Sequence, residues 1–224
     1  MELAVVKDLG ENLGNVREAA VFMEAIEMRQ RLFRQNKKNL CLLDPYDLIS
    51  DHLILRSSRD GKPFAYSRVT PLSKCLAHDL LYPVVPLLSS CREYPEAYAR
   101  LLSAGHEPLH MGFLCLDPAY RDEVASVKIV DLMIWLGFIS SGFALDQVSF
   151  TATPNAKFNQ DPWLKVIGDW AGDMPDFIHP LIPEAHRMVI IPKIYDSYWT
   201  SRFSLYSELY KSLRGEREAL PRAA

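Results

Sequence analysis

Four places along the chain hold side chains that could do chemistry: Arg29, the pair Asp44 and Asp47, Arg68, and the run His106-Glu107-Pro108-Leu109-His110. The last matches H-E-x-x-H letter for letter, a pattern in which two imidazoles one helical turn apart hold zinc beside a glutamate base. That geometry exists only on a helix. Gly105 precedes the motif, Pro108 interrupts it and biases Glu107 away from helical angles, and the apolar residues that follow read as a strand, so no metal is expected here.

Other chemistries are missing their signatures. The chain has no G-x-x-x-x-G-K-[ST], no G-x-G-x-x-G and no G-x-S-x-G, which leaves nucleotide hydrolysis, dinucleotide binding and the usual serine hydrolysis without support. Cys41, Cys75, Cys91 and Cys115 form no CxxC pair and read as buried thiols. Arg29, Arg31, Arg34, Lys37 and Lys38 make an acid-free basic window suited to an acidic partner. With a net charge of -3, a pI near 6.1 and no recognition motif, no nucleic-acid partner is expected.

Positioning these residues falls to a recognisable series of elements. Phe22, Ile26, Arg29 and Phe33 recur at helical spacing over residues 16–36, so an arginine interrupts an otherwise apolar stripe. LDPYD reads as a turn, and HLILRS, RDGKP and FAYSRVTP as strand, turn and strand. Two short helical pieces follow, one near 76–88 broken by prolines and one starting at Pro95. The apolar run LHMGFLCLD is a strand buried on both faces, a helix over about 123–142 comes next, and QVSFTAT is a second strand. This strand, helix and strand form a crossover, the signature of a parallel pair at the heart of an α/β domain. DPWLKVIGDWAGD reads as a helix, HRMVIIPKI as one strand, and residues 196–214 as an amphipathic C-terminal helix that could pack on its own domain or on a partner.

A length of 224 residues with 49% apolar and 24% charged residues, and a mean hydropathy of -0.05, suits a water-soluble domain with a sizeable core. The longest charge-free stretch, Leu132 to Leu145, is shorter than the roughly 20 residues a bilayer span needs. The N-terminus lacks the pattern of an export signal, so the expected location is the cytoplasm, with no transmembrane segment.

One ordered set of residues carries a family resemblance: Arg29-x-x-x-Phe33, then Asp44-Pro45-Tyr46-Asp47, then His52-Leu53, then Ser67-Arg68-Val69-Thr70-Pro71. In this order the sequence resembles the acyl-homoserine-lactone synthases and the long-chain N-acyl amino acid synthases of the GNAT superfamily. The resemblance covers about the first half of the chain, and the crossover over residues 109–153 agrees with it. It implies an α/β (α+β) fold: a single GNAT-like domain over residues 1–224, with a mixed, mostly antiparallel central sheet flanked by helices. It also implies that Arg29, Phe33, Asp44, Asp47 and Arg68 form the acceptor side of an acyl-transfer site. Each has a plainer role too: the aspartates can shape a turn, Arg68 can be a strand-end charge, and the surface cations can be a solvated helix face. Arg29, on an apolar stripe, needs a buried carboxylate such as Asp44 or Asp47 whichever role it has.

The sequence departs from the family pattern twice. Where E-x-S-R usually stands, it has His110-Met111-Gly112-Phe113, which makes His110 the candidate general base and Glu107 the reserve. Gly112 and Leu114 then fall where the backbone would meet the donor's pantetheine arm. Where acetyl-CoA enzymes have a glycine-rich phosphate loop, it runs Arg121-Asp122-Glu123-Val124-Ala125-Ser126, with two acids and neither glycine. The resemblance therefore implies N-acyl transfer from acyl carrier protein to an amino acid or related small amine. The donor is an acyl-phosphopantetheine thioester, no cofactor is permanently bound, and the basic window meets the carrier. The alternatives are an acyl-CoA-dependent enzyme and a noncatalytic relative that binds an acyl carrier or lipid. Val148, Phe150, Trp135 and Phe138 are candidates to line an acyl tunnel.

Overall fold

A computed structural model describes residues 1–7, 9–10, 14–35, 43–120, 128–156, 161–170, 174–178 and 184–214. Its centre is a six-stranded sheet in the order β1 (Glu2–Val6), β2 (Asp51–Arg56), β3 (Pro63–Pro71), β4 (Glu107–Leu116), β5 (Val148–Ala152), β8 (Val189–Ile191). All neighbours are antiparallel except β4 and β5, which pair in parallel from Glu107↔Val148 to Met111↔Ala152. The β2–β3 hairpin turns where expected, with Gly61 at a φ of +71°.

Period-two alternation assigns each strand's side chains to one of two faces. Leu53, Leu55, Val69, Leu109, Met111, Val148 and Phe150 face one way, under α5 (Ile129–Ser140) and α7 (Asp196–Arg214). From Asp131 to Ser140 every residue of α5 is buried, as the charge-free run that begins at Leu132 requires. The amphipathic α7 packs on this same sheet: Asp131 of α5 is ion-paired with Arg202 at 2.6 Å and accepts hydrogen bonds from Tyr198 and Tyr206. Trp135, Phe138, Val148 and Phe150 are buried in the core; Phe138 lies edge-on to Phe150 and Trp199 at 5.6 and 4.7 Å.

The other face is covered in two parts. α1 (Val16–Gln35) lies over β1 to β3 with Phe22, Ile26, Met28 and Leu32 buried. α3 (Leu72–Ala77) lies against the ends of β3 and β4, and with it a 3-10 turn at Val85–Ser90 and α4 (Tyr94–Ser103), the latter against β8, enclose the second core. Between these covers the sheet presents His52, Tyr66, Arg68, His110 and Thr151, all buried.

Three expectations about elements need correction. HRMVIIPKI is not one strand: β7 (Ala185–Arg187) pairs with β6 (Asp176–Ile178) in a separate ribbon, and β8 joins the main sheet after Met188, which is buried in the second core. DPWLKVIGDWAGD is helical only over α6 (Asp161–Ile167), after which Gly168 forms a bridge with Ile194. α5 begins at Ile129, and residues 121–127, including the predicted start of that helix and the phosphate-loop positions 121–126, lie outside the described residues. Among the described cysteines, Cys75 is buried while Cys91 and Cys115 are half-buried, all as free thiols.

Candidate active site

Arg29 projects from α1 into the sheet and is 2% exposed. Its guanidinium donates to both carboxylate oxygens of Asp47, at 3.0 and 2.9 Å, the fork geometry that suits a buried arginine. Asp47 lies in the single turn α2 (Tyr46–Ile49), where Pro45 sets the helical angle and Asp44 accepts the Asp47 N–H. The Asp47 carboxylate accepts the Asp44 N–H in return at 3.1 Å, so the D-x-Y-D loop is closed on itself. Arg68 on β3 donates through Nη1 to Asp44 at 2.5 Å and to Asp47 at 2.8 Å. Two guanidinium and two carboxylate charges thus balance in one buried cluster. Burial alone would raise the Asp47 carboxyl; the hydrogen bond from Arg29 and the charge of Arg68 overcome it and hold it at about 2.

Around this cluster stand three groups that sequence reasoning gave no role. His52 donates from Nε2 to the Asp47 carbonyl at 2.8 Å and accepts the Tyr66 hydroxyl at Nδ1, 2.9 Å, an arrangement that leaves no donor unpaired. Burial pushes the His52 imidazole down to about 4, so the ring is neutral at neutral pH. Tyr66 also accepts from Arg29 at 3.3 Å. The Phe113 ring stacks on both guanidinium groups, at 4.3 Å from Arg29 and 4.7 Å from Arg68, and meets Phe33 edge-on at 5.8 Å. Tyr66 was discoverable, being two residues from Arg68 on the same strand face.

Phe113 marks the mechanical feature of the site. Tyr66↔Cys115 and Arg68↔Gly112 are successive same-face pairs of β3 and β4, so β4 uses one residue more than β3 between them, and Phe113 takes a φ of +54°. A phenylalanine in the left-handed region is uncommon and strained. The bulge begins one residue after the last β4–β5 pair, Met111↔Ala152, and from Gly112 to Leu116 the β5 side of β4 has no paired strand among the described residues. The Arg68 Nε, buried and without a hydrogen bond, lies 3.9 Å from where a Cβ on Gly112 would stand, and His110 Nε2 lies 3.7 Å from the same point.

The predicted residues are thereby placed. Arg29, Phe33, Asp44, Asp47, Arg68, Gly112 and His110 converge on one region. Leu114 contributes backbone to the unpaired segment, while its side chain packs into the core under α5. Glu107 lies apart: its carboxylate accepts the Ser73 N–H at the start of α3, 2.8 Å, and makes no bond to Arg68, Asp47 or His110. His106 and His110 sit on a strand and its approach, with His106 bound to the Pro192 carbonyl, so they share no helix face. Within the basic window, Arg29 is interior and Arg31 is ion-paired with Asp117 at 2.6 Å; the side chain of Arg34, and Lys37 and Lys38, lie outside the described residues.

No known family profile matches the chain, and no curated protein sequence matches it. Solved structures do. FeeM, an N-acyl amino acid synthase from uncultured soil microbes, aligns over 92% of this chain and 97% of its own at 10% identity, with a TM-score of 0.53. The CoA-dependent acyl-homoserine lactone synthase BjaI, bound to SAM and isopentyl-CoA, aligns over 99% and 94% at 11% identity, with a TM-score of 0.57. Escherichia coli ElaA aligns over 85% and 99% at 12% identity, with a TM-score of 0.52. The chain shares with them a GNAT-like fold: a mixed, mostly antiparallel six-stranded sheet flanked by helices.

Proposed function

We propose that the protein is a cytoplasmic N-acyltransferase that moves a long-chain acyl group from the phosphopantetheine thioester of acyl carrier protein to the amine of an amino acid or related small molecule. One observation carries this reading: where β4 leaves β5 at Gly112, strand backbone with no partner strand among the described residues lies beside the unpaired Nε of a buried arginine and an imidazole. A thioester laid along the unpaired backbone of Gly112–Leu116 presents its carbonyl to N–H donors. The free edge of Arg68 receives the acceptor's carboxylate, and Asp44 and Asp47 hold that arginine in place through Nη1. The amine lone pair forms the C–N bond, the C–S pair departs with sulfur, and the amine's surplus proton passes to His110, directly or through a water, and on to the departing thiolate.

The choice of donor rests on the sequence at 121–126. Asp122 and Glu123 would oppose a pyrophosphate, and Val124 and Ser126 occupy the positions of backbone-wrapping glycines; carrier-bound phosphopantetheine has no pyrophosphate to hold. Acyl-CoA is the second reading, favoured by the likeness to a CoA-dependent synthase that spans 99% of this chain. The test is incubation of the purified protein with matched long-chain acyl carrier protein or acyl-CoA and an amino acid mixture, with products read by mass spectrometry. N-acyl amino acids from the carrier protein alone support the proposal, products from CoA overturn the donor, and carrier binding without turnover identifies a noncatalytic binder.

A further inference from the structure

Two buried side chains beside the charge cluster have no part in the acyl-transfer step proposed above. His52 on β2 is paired directly with Arg68 on β3, and Tyr66 stands two residues before Arg68 on the same strand face; each is 0% exposed. His52 Nε2 lies 2.8 Å from the backbone carbonyl of Asp47, and Nδ1 lies 2.9 Å from the Tyr66 hydroxyl. That hydroxyl is in turn 3.3 Å from Arg29 Nη1. A chain of three hydrogen bonds therefore runs from Arg29 on α1 to the loop that carries Asp44 and Asp47.

The two ends of this chain fix its protons. A carbonyl oxygen can only accept, so Nε2 carries the proton of the ring; a guanidinium can only donate, so the Tyr66 oxygen accepts from Arg29 and gives its own proton to Nδ1. Every donor then has an acceptor. A second proton on the ring would make Nδ1 a donor and strand the hydroxyl's proton, and burial, then the charges of Arg68 and Arg29, work against it. The chain is a neutral strut with one direction of donation.

The strut reaches Arg68 through its ends. Arg29 donates to both carboxylate oxygens of Asp47, and the Asp47 carbonyl is the point at which the loop is tied to β2, the strand next to Arg68. Asp44 and Asp47 in turn hold Arg68 by Nη1, and the Nε of that guanidinium, with no hydrogen bond, lies 3.9 Å from where a Cβ on Gly112 would stand. We infer that His52 and Tyr66 are positioning residues of the acceptor site: through Arg29 and the Asp47 carbonyl they set the aspartate loop, and the loop sets the Arg68 edge that receives the acceptor's carboxylate. The inference rests on the acyl-transfer reading for the identity of the acceptor. Being fully buried, neither residue meets substrate, so their loss weakens acceptor binding and spares the bond-making step.

Solvent exchange of the Arg68 Nε–H, followed by NMR in the isotope-labelled full chain and assigned through Arg68→Lys, reads the guanidinium without any substrate. Relative to the backbone N–H groups of β3, it should quicken about three- to tenfold in Tyr66→Phe and His52→Leu, the worth of one buried hydrogen bond. It should slow again in His52→Gln, because glutamine offers one donor and one acceptor. Tyr66→Phe removes a single oxygen and carries the test if His52→Leu does not fold. Unchanged exchange in the phenylalanine variant overturns the inference, and so does a rise that the β3 backbone shares equally. Long-range nitrogen–proton NMR of His52 at pH 7 should show a neutral ring protonated at Nε2; protonation at Nδ1 overturns the inference as well. Turnover with long-chain acyl carrier protein and a varied amino acid mixture gives the last readout. Tyr66→Phe should raise the acceptor KM about three- to tenfold with kcat within about twofold of wild type, and a loss confined to kcat overturns the positioning role. Quickened exchange in a protein that acylates no amine upholds that role and defeats the transferase reading instead.

Discussion

Replacing Asp47 with asparagine probes the cluster at its centre. The carboxylate takes hydrogen bonds from Arg29 at 3.0 and 2.9 Å, from Arg68 at 2.8 Å and from the Asp44 N–H at 3.1 Å, in a residue with 0% exposure. Asparagine keeps one acceptor oxygen and turns an NH2 donor toward a guanidinium that is itself only a donor. Two buried cations would then share the carboxylate of Asp44, which is 30% exposed. Breaking a buried pair by removing one partner costs about 3–5 kcal/mol. In a chain of this size that lowers the melting temperature by roughly 6–20 °C. Urea unfolding at pH 7, extrapolated linearly, measures the loss directly, and repeating it in 1 M salt separates buried from surface electrostatics, because buried pairs are screened little. A loss below about 1 kcal/mol, or one that salt abolishes, would refute the reasoning that this cluster is a desolvated, charge-balanced unit.

Three further outcomes follow from the same contacts. His52 has its pKa lowered from 6.5 to about 4, so between those values the unfolded chain binds a proton that the folded chain refuses. Stability is therefore full above pH 6.5 and falls by about 3 kcal/mol toward pH 4, and this fall should flatten in His52→Gln; identical slopes in the two proteins would exclude the assignment. Asp47, held at about 2, extends the decline as pH drops from 3.8 toward that value. Gly168→Ala should destabilise by about 1–3 kcal/mol or prevent folding, since a Cβ there would collide with the Lys193 backbone carbonyl; a wild-type denaturation midpoint would show that the approach is looser.

The sequence was most legible where a physical constraint is local. The apolar stripe of residues 16–35 with a misplaced arginine predicted both a helix and a buried acid partner, and Arg29 and Asp47 meet across 18 residues. The crossover from β4 through α5 to β5 was visible as an apolar run, a charge-free helix and a second alternating strand. What escaped notice depends on tertiary geometry. Nothing in His110-Met111-Gly112-Phe113 announces a bulge, because a phenylalanine at positive φ is held there by two guanidinium groups and Phe33 from other elements. Tyr82 and Thr151 are 69 residues apart and look like ordinary core and strand residues until the sheet brings them to His110. HRMVIIPKI divides between two sheets because β7 pairs with β6 and β8 with β5, and that contest is settled by partners distant in the chain.

Acyl transfer is proposed to occur where β4 parts from β5. Gly112→Ala tests it most directly, because the added methyl would lie between His110 and Arg68 at 3.7–3.9 Å, ordinary contact distances that leave the fold intact while occupying the space between these two side chains. The measurement is the rate of N-acyl amino acid formation from long-chain acyl carrier protein by wild type and variant, with urea midpoints recorded alongside. The expected result is product from the wild type and a loss of about 10²-fold in the variant at an unchanged midpoint. Product formed by Gly112→Ala at the wild-type rate would contradict it.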